Sequence, residues 1–337
     1  MGSCFSSLKE TKEYANNTGI PWFAWETVFK YLAEYQIRDI LLLSKDIKKN
    51  YQWFKIPKYI EVNDVKQGIE IFKKFSVFNL DENFVIRLGA YDLHEIRRLE
   101  YDGLIIETNE VYIKYGSKGP VSVIFKEGVT TIGKSVFKGC ASLTSVTFPE
   151  GLMTIGELAF FRCTGLTSLI LPEGLTSIGK CAFYNCSGLT SLILPEGLTS
   201  IGGNAFYNCS GLTSLILSEG LTTIGELAFK ECAGITSLTF PEGLTTIRAF
   251  AFSGCTGITS VTFPEGLMTI DRRAFWRCTG LTSVTFSTGF ITFGRHALSD
   301  CTGVTSLTFP EGLTTIGELA FSRCTGLTSV TFPEGLT

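Results

Sequence analysis

The residues best suited to chemistry in this 337-residue chain are its 11 cysteines and two histidines. Nine cysteines recur every 23 residues, at Cys140, Cys163, Cys186, Cys209, Cys232, Cys255, Cys278, Cys301 and Cys324. Zinc sites use closely spaced ligand pairs, which this sequence lacks. Cysteines at one position of successive repeats have parallel Cβ vectors, which suit disulfide geometry poorly. We therefore expect small buried thiols in a reducing compartment, with no metal site and no cofactor.

The two histidines give no catalytic motif. His94-Glu95 lacks the second histidine of H-E-x-x-H, and the sequence has no G-x-S-x-G elbow and no phosphate-binding loop. We therefore predict that the chain is not an enzyme. Its 29 Lys and Arg residues against 32 Asp and Glu residues give a net charge of −3, which argues against a nucleic-acid partner.

The cysteine period belongs to a longer repeat that fills residues 117–337 with the phrase L-T-S-[VL]-x-[FL]-P-E-G-L-x-x-I-G-x-x-A-F-x-x-C. Repeats of this length indicate a solenoid. The phrase predicts a strand, a Pro-Glu-Gly turn whose glycine tolerates positive φ, and a second extended piece. It then predicts a single helical turn at Ala159–Cys163, with Phe160 and Cys163 facing inward.

This repeat closely resembles the BspA-type leucine-rich repeat. The resemblance implies a curved or slightly twisted right-handed solenoid used for binding and not for catalysis. Such proteins include bacterial and protozoan surface adhesins and also intracellular proteins of eukaryotes, so the resemblance leaves the function open. The predicted fold is a leucine-rich repeat solenoid of parallel strands with short helical turns, preceded by a small α-helical module.

Residues 1–16 are predicted to be a flexible tail with a lipid anchor. The sequence Met1-Gly2-Ser3-Cys4-Phe5-Ser6 fits the N-myristoylation pattern M-G-x-x-x-[ST], in which Gly2 supplies the acylated amine. Cys4 lies where a second, palmitoyl chain is often added, and two chains anchor a protein stably where one does not. The alternative is a disordered tail in which the pattern is accidental.

Residues 17–62 are predicted to form an amphipathic pair of helices, with Pro21 in the first turn. The stretch resembles an F-box, and the motif positions that match are Ile20, Pro21, Val28, Phe29, Leu32 and Ile37. The resemblance implies that these residues bind an adaptor of a cullin–RING ubiquitin ligase. The match departs from the family at Phe23, Gln36 and Asp46-Ile47. The alternative is a helical cap that only shields the end of the solenoid.

Residues 63–116 carry no repeat and are predicted to link the helical module to the first coil and to cover its core. They contain a helical phrase from Val65 to Phe75 and extended phrases at 104–106 and 111–113.

The sequence varies between repeats mainly beside the Ala-Phe pair. One group of residues there is aromatic, and a second group, further along the chain, is rich in arginine. Aromatic and arginine side chains dominate binding hot spots. The predicted partner-binding residues are Phe161, Tyr184, Tyr207, Arg272, Arg273, Trp276, Arg277, Arg295 and His296. The alternative is ordinary drift among duplicated repeats.

Together these patterns predict a protein that binds other proteins and lies at the cytoplasmic face of a membrane, not secreted. The first hypothesis is a substrate receptor of a cullin–RING ubiquitin ligase, with the solenoid holding the substrate. The alternative hypothesis is a BspA-like scaffold or adhesion protein whose N-terminal helices only cap the solenoid.

Overall fold

The computed structural model describes residues 59–62, 84–88, 104–107, 111–116, 118–334 and 336. The predicted acylation site at Gly2 and Cys4 and all six adaptor-binding positions lie outside these residues. The end of the predicted helical module is a strand, β1 (Tyr59–Val62), which is the only part of 17–62 described.

Strands β1 to β5 lead into the solenoid. They comprise β1, β2 (Phe84–Leu88), β3 (Leu104–Glu107), β4 (Val111–Gly116) and β5 (Gly119–Phe125). The first three pair in parallel, whereas β3–β4 and β4–β5 are antiparallel. The extended phrases predicted at 104–106 and 111–113 are confirmed as β3 and β4. The β4–β5 hairpin crosses the predicted boundary at 116/117, so one sheet continues from β1 into the repeats.

Sixteen short strands follow, mostly two per coil of 23 residues: β6 (Thr131–Ile132), β7 (Ser145–Thr147), β8 (Thr154–Ile155), β9 (Ser177–Ile178), β10 (Ser191–Ile193), β11 (Ser214–Ile216), β12 (Thr223–Ile224), β13 (Leu238–Thr239), β14 (Thr246–Ile247), β15 (Ser260–Thr262), β16 (Thr269–Ile270), β17 (Ser283–Thr285), β18 (Thr292–Phe293), β19 (Ser306–Thr308), β20 (Thr315–Ile316) and β21 (Ser329–Thr331).

These strands lie on two sides of the solenoid, and on each side they form short parallel sheets that are interrupted between some coils. The first side contains β7, β10, β11, β13, β15, β17, β19 and β21, and the second contains β6, β8, β9, β12, β14, β16, β18 and β20. Registers match residues 23 apart, as in Ser191 with Ser214 and Thr246 with Thr269. The parallel solenoid that the repeat predicts is therefore confirmed.

The third side of each coil is not the helical turn that the sequence predicts. Some of its backbone N–H groups donate to carbonyls of the next coil, and others donate to carbonyls within the same turn. The Phe160 N–H donates to Ala182 of the next coil at 2.8 Å, and the Cys163 N–H donates to Phe160 within the turn at 3.2 Å. Two residues per coil have left-handed backbone angles, such as Leu158 (φ 58°) and Arg162 (φ 59°). A helix needs negative φ throughout, so this side is a stack of tight turns.

The glycines also serve a different purpose from the predicted one. The Pro-Glu-Gly turn was expected to use a glycine with positive φ. Among the described glycines at this position of the repeat, only Gly128, Gly289 and Gly312 have positive φ. Other glycines allow close approach between coils. A Cβ atom on Gly234 would lie 2.7 Å from the carbonyl oxygen of Leu212 in the preceding coil, which no larger residue tolerates without a backbone shift.

The core consists of stacked columns of identical side chains. Rings from Phe137 to Phe275 stack between successive coils with centroids 5.3 to 5.7 Å apart. The ladder cysteines form no disulfides within the described residues and are buried, as predicted, except Cys324, which is half-buried. From Cys163 onward each Sγ donates to a carbonyl 26 residues earlier, as Cys209 does to Phe183 at 3.3 Å.

Candidate interaction surface

The third side of the solenoid carries the variable residues. We define the turn ridge as the residues between the isoleucine (or Phe293) of the second side and the ladder cysteine in each coil: 133–139, 156–162, 179–185, 202–208, 225–231, 248–254, 271–277, 294–300 and 317–323. Within each segment the alanine (Val136 in the first segment) and the following Phe (or Leu298) point into the core. The flanking residues differ from coil to coil, so only this side presents a non-repetitive surface.

An aromatic stack occupies the ridge in three successive coils. The rings of Phe161 and Tyr184 lie 4.8 Å apart and those of Tyr184 and Tyr207 lie 4.6 Å apart, nearly parallel in both pairs. The structure therefore brings together the three residues that the sequence groups. The pKa of Tyr184 is raised, mainly by burial and to a smaller extent by the neighbouring Tyr207. The Tyr184 hydroxyl is therefore neutral at physiological pH.

Cations cover the two ends of this stack. Lys138 and Arg162 each lie 5.3 Å from the centroid of Phe161, and Lys230 lies 5.3 Å from that of Tyr207. Cation–π contacts of this kind contribute about 0.5–1 kcal/mol at exposed sites. Because the ring faces are already in contact with neighbours, the stack presents ring edges and phenol hydroxyls. This geometry suits hydrogen bonding to a partner better than the stacking of a planar ligand.

Asparagines extend the polar edge of the stack. The Nδ2 group of Asn208 donates to Oδ1 of Asn185 at 2.5 Å, one coil apart. Both residues have left-handed backbone angles, with φ of 53° and 58°. Asparagine tolerates this conformation better than most residues, so the two side chains are held at a fixed place beside the tyrosines.

Phe250 connects the two groups of residues that the sequence separates. Lys230, which covers Tyr207, also lies 5.9 Å from the Phe250 ring. Arg272 and Arg273 lie over the same ring at 5.6 and 5.5 Å. Sequence reasoning missed Phe250 because its column otherwise contains serine, leucine, cysteine, asparagine, arginine and histidine. The signal was the single aromatic residue in that column, between the two predicted groups.

Trp276 organises the arginine-rich part of the ridge. Arg273 lies 5.5 Å and Arg277 lies 5.3 Å from the Trp276 ring, so two guanidinium groups contact one indole. The indole N–H donates to Oδ2 of Asp300 at 2.7 Å, and Asp300 also pairs with Arg323 at 3.8 Å. Sequence reasoning did not identify Asp300, which fixes the position of the tryptophan.

The remaining predicted arginines pair with nearby glutamates. Arg272 lies 4.0 Å from Glu226, and Arg295 lies 3.3 Å from Glu318. These pairs are exposed and contribute little to stability. The amide of Arg273 donates to the carbonyl of Arg295 at 2.9 Å, which places the two arginine-bearing turns side by side.

His296 follows Arg295 and is half-buried on the ridge. Its backbone N–H donates to the carbonyl of Glu318 in the next coil at 3.0 Å. Its backbone φ is 56°, in the same column as Arg273 at 55°. The register between coils therefore places Arg273 and His296 in adjacent turns, as the sequence predicts.

Charge is segregated across the solenoid. All but two of the lysines and arginines between 118 and 334 lie on the turn ridge, the exceptions being Lys118 and Lys126. The corner between the two sheets carries an exposed column of glutamates: Glu127, Glu150, Glu173, Glu196, Glu219, Glu242, Glu265, Glu311 and Glu334. One surface is therefore acidic, whereas the ridge opposite it is predominantly basic.

The outer face of the first side is repetitive and uncharged. Threonine hydroxyls there donate to carbonyls of the preceding coil, as Thr190 does to Thr167 at 3.1 Å. Ile170, Ile193 and Ile216 form a short exposed row, with 84%, 60% and 54% of their surface accessible. Apart from this row, the exposed strand positions of successive coils carry nearly the same side chains, so this face varies less along the solenoid than the turn ridge does.

Within the described residues, no group of three or more His, Cys, Asp or Glu side chains is arranged to hold a metal ion. The same part of the chain contains no helix with the length and hydropathy needed to span a membrane.

Comparison with known proteins identifies the repeat. The family described as BspA type leucine-rich repeat region (6 copies) matches residues 115–236 and again 222–337. No curated protein matches the chain.

Solved structures similar to the chain are also repeat proteins. A leucine-rich repeat protein from Bacteroides ovatus is 24% identical over 64% of this chain and 74% of its own, with a TM-score of 0.37. A leucine-rich cell surface protein from Faecalibacterium prausnitzii is 24% identical over 66% and 80%, with a TM-score of 0.36. The leucine-rich repeat protein of T. pallidum is 24% identical over 55% and 78%, with a TM-score of 0.40.

Proposed function

Because the chain belongs to the BspA-type leucine-rich repeat family, we propose that it is a non-catalytic scaffold that binds a protein partner through the turn ridge. One observation carries the proposal. The ridge forms an unbroken series of aromatic and cationic contacts from Lys138 through Tyr207 and Phe250 to Arg277.

The composition of the ridge supports protein binding. Tyrosine, tryptophan and arginine are the residues enriched at binding hot spots. Specific recognition also needs a surface that differs from one coil to the next, which the two sheet sides do not offer. The ring–ring and ring–cation contacts hold these side chains in place before a partner arrives, which lowers the entropy lost on binding.

A pair of double variants tests this proposal. Tyr184→Ser with Tyr207→Ser removes two ridge side chains, and Ile193→Ser with Ile216→Ser removes two exposed side chains of the first side close by in the chain. We expect the tyrosine variant to lose at least about tenfold in capture of partner from lysate of the source cells. The isoleucine variant should capture it normally. Loss in the isoleucine variant with normal capture by the tyrosine variant would reject the ridge as the binding surface.

The N-terminal sequence favours a second candidate function, that of a ubiquitin-ligase substrate receptor. Its support is the F-box-like match at Ile20, Pro21, Val28, Phe29, Leu32 and Ile37, outside the described residues. The test is a Pro21→Ala, Ile37→Ala double variant, which should lose capture of a cullin–RING adaptor and keep the melting temperature of the solenoid. A lower melting temperature, with no adaptor captured by either protein, would instead assign these residues to a cap.

The acylation pattern supports a proposal on location. Myristate on Gly2 and palmitate on Cys4 would hold the chain at the cytoplasmic face of a membrane. Gly2→Ala should then move the protein from membranes to cytosol, and Cys4→Ser should weaken membrane retention. An unmodified N-terminus by intact-mass spectrometry in eukaryotic cells would rule the anchor out.

A further inference from the structure

The arginine-rich part of the turn ridge indicates what kind of partner the ridge takes. We infer that Arg273 and Arg277 bind acidic side chains of a peptide segment in the partner protein. This inference rests on the proposed role of the ridge in protein binding and adds the chemistry of the ligand.

Counter-charges distinguish the arginines of this region. Among the described residues, Arg272, Arg295 and Arg323 each have a carboxylate within 4.0 Å. Arg273 and Arg277 form no ion pair with any residue in that part of the chain. Both therefore retain their full capacity to bind an external carboxylate.

The guanidinium groups of Arg273 and Arg277 are already positioned. Each lies against the Trp276 ring, at 5.5 and 5.3 Å, and the indole is fixed by its hydrogen bond to Asp300. A guanidinium stacked on an aromatic face keeps its edge N–H groups free, and these groups match the two oxygens of a carboxylate. Stacking thus orients the donors without occupying them.

This part of the turn ridge has a local excess of positive charge. The turn segments 248–254, 271–277 and 294–300 contain five arginines, namely Arg248, Arg272, Arg273, Arg277 and Arg295. They contain two acidic residues, Asp271 and Asp300. Asp300 is already bound by Trp276 and Arg323. The excess attracts an acidic ligand over a distance set by the salt concentration.

The size of the basic patch favours a short peptide over a nucleic acid. Three coils at the strand spacing of roughly 5 Å extend over only about 10–15 Å. Glu226 and Glu318 flank the patch on either side, and the glutamate column lies at the opposite corner. A phosphate backbone needs a longer basic stripe, whereas a peptide with two or three acidic residues fits this length.

The test uses the purified full chain and a short fluorescein-labelled peptide of alternating aspartate and serine. Its neutral control replaces every aspartate with asparagine. Fluorescence anisotropy should show binding of the acidic peptide alone, and added salt should weaken it. Arg273→Gln with Arg277→Gln should weaken binding by at least about tenfold. Lys134→Gln with Lys180→Gln removes the same charge elsewhere on the ridge and should change binding by less than about twofold.

Trp276→Leu separates orientation from net charge. This variant keeps both arginines but removes the surface on which they stack, so it should also weaken peptide binding, by about three- to tenfold. Unchanged binding in Trp276→Leu, or equal losses in the two charge variants, would overturn the inference. Inorganic phosphate that competes with the peptide as strongly as free aspartate peptide does would also overturn it, because the site would then be a simple anion site.

Two further outcomes separate this inference from the proposed function. If the acidic peptide does not bind but Tyr184→Ser with Tyr207→Ser still loses the cellular partner, the acidic-ligand inference fails and the ridge remains a binding surface. Self-association in sedimentation velocity that Arg273→Gln with Arg277→Gln abolishes, without peptide binding, would overturn the inference in favour of a second copy. The acidic ligand would then be the glutamate column of that copy.

Discussion

The ammonium group of Lys230 lies 5.3 Å from the centroid of the Tyr207 ring, one coil earlier. The same group lies 5.9 Å from the Phe250 ring, one coil later. Lys230 therefore links a region of tyrosines and asparagines to an arginine-rich region. The two regions form one surface along the solenoid, with different chemistry at its two ends.

The phenylalanine column should dominate the stability of the solenoid. Phe206 is fully buried between Phe183 and Phe229, at 5.3 and 5.4 Å, so Phe206→Ala should lower the free energy of unfolding by about 3–5 kcal/mol. Phe321 is half-buried, and Phe321→Ala should cost less because less surface is lost from the core. Urea denaturation of both variants measures the difference. Equal losses would contradict an unevenly buried column.

Buried thiols should make the protein sensitive to alkaline pH. Burial raises the pKa of the thiols of Cys163, Cys186, Cys209, Cys232, Cys255 and Cys278 above the ordinary value of about 8.5. Above this pH the unfolded thiols ionise while the folded ones keep their protons. The free energy of unfolding should therefore be constant below about pH 8 and fall by up to about 1.4 kcal/mol per pH unit for each thiol above about pH 9.

Urea denaturation between about pH 7.5 and 9.5 measures this slope. Cys232→Ala should lower the free energy of unfolding at neutral pH. It should also make the decrease with pH less steep, because one fewer proton is released on unfolding. Cys324, whose pKa is raised to about 11 mainly by burial, provides a less buried comparison. An unfolding free energy that does not change over the alkaline range would contradict the burial of the ladder.

The close approach of coils should make Gly234 irreplaceable. The Cβ of Gly234→Ala would lie 2.7 Å from Leu212 O and 2.8 Å from Ser210 O, both backbone atoms, so we expect a loss of about 2–3 kcal/mol. Gly243 is the matched control, because the nearest atom to its added Cβ is Glu219 O at 3.7 Å. Gly243→Ala should be neutral or stabilise by up to about 1 kcal/mol. If the melting temperatures of Gly234→Ala and Gly243→Ala fall equally, the close approach of the coils at Gly234 does not exclude a larger side chain.

Backbone strain should be relieved by asparagine at Leu319. Its φ is 56° and its side chain is 55% exposed, so little burial is lost on substitution. Asn204 occupies the same column with φ of 57°. Leu319→Asn should stabilise the coil by about 1 kcal/mol and slow hydrogen exchange of the Cys324 amide about fivefold. Thr325→Asn, where φ is not positive, should leave exchange unchanged; faster exchange in Leu319→Asn would contradict the strain.

The extent to which sequence predicts this structure depends on the feature. Burial of the phenylalanine and cysteine columns follows from the 23-residue period, since each coil must cover its neighbour. The turn geometry does not follow from the period. The left-handed residues Leu158 and Arg162 donate their backbone N–H groups to carbonyls of the next coil, and the repeat phrase does not reveal these bonds. The spacing A-F-x-x-C alone fits a helical turn equally well.

Contacts on the candidate surface could be predicted from the sequence only where the residues share one column of the repeat. The stacking of Phe161, Tyr184 and Tyr207 follows from their shared column. The contacts of Lys230 and Phe250 run diagonally between different columns, so they depend on side-chain length and direction and not on register. Strands β1 and β2 were not predicted: the module at 17–62 was expected to be helical, and no extended phrase was identified at 84–88.

Hydroxyl-radical footprinting of the protein with its captured partner tests the central claim most directly. Tyr184, Tyr207 and Trp276 report on the turn ridge, whereas Met153 and Met268, 52% and 51% exposed, report on the opposite part of the coil. If the ridge binds the partner, the three aromatic residues should become protected while both methionines oxidise at an unchanged rate. Protection of Met153 and Met268, with the aromatic residues oxidised as in the free protein, would contradict the account.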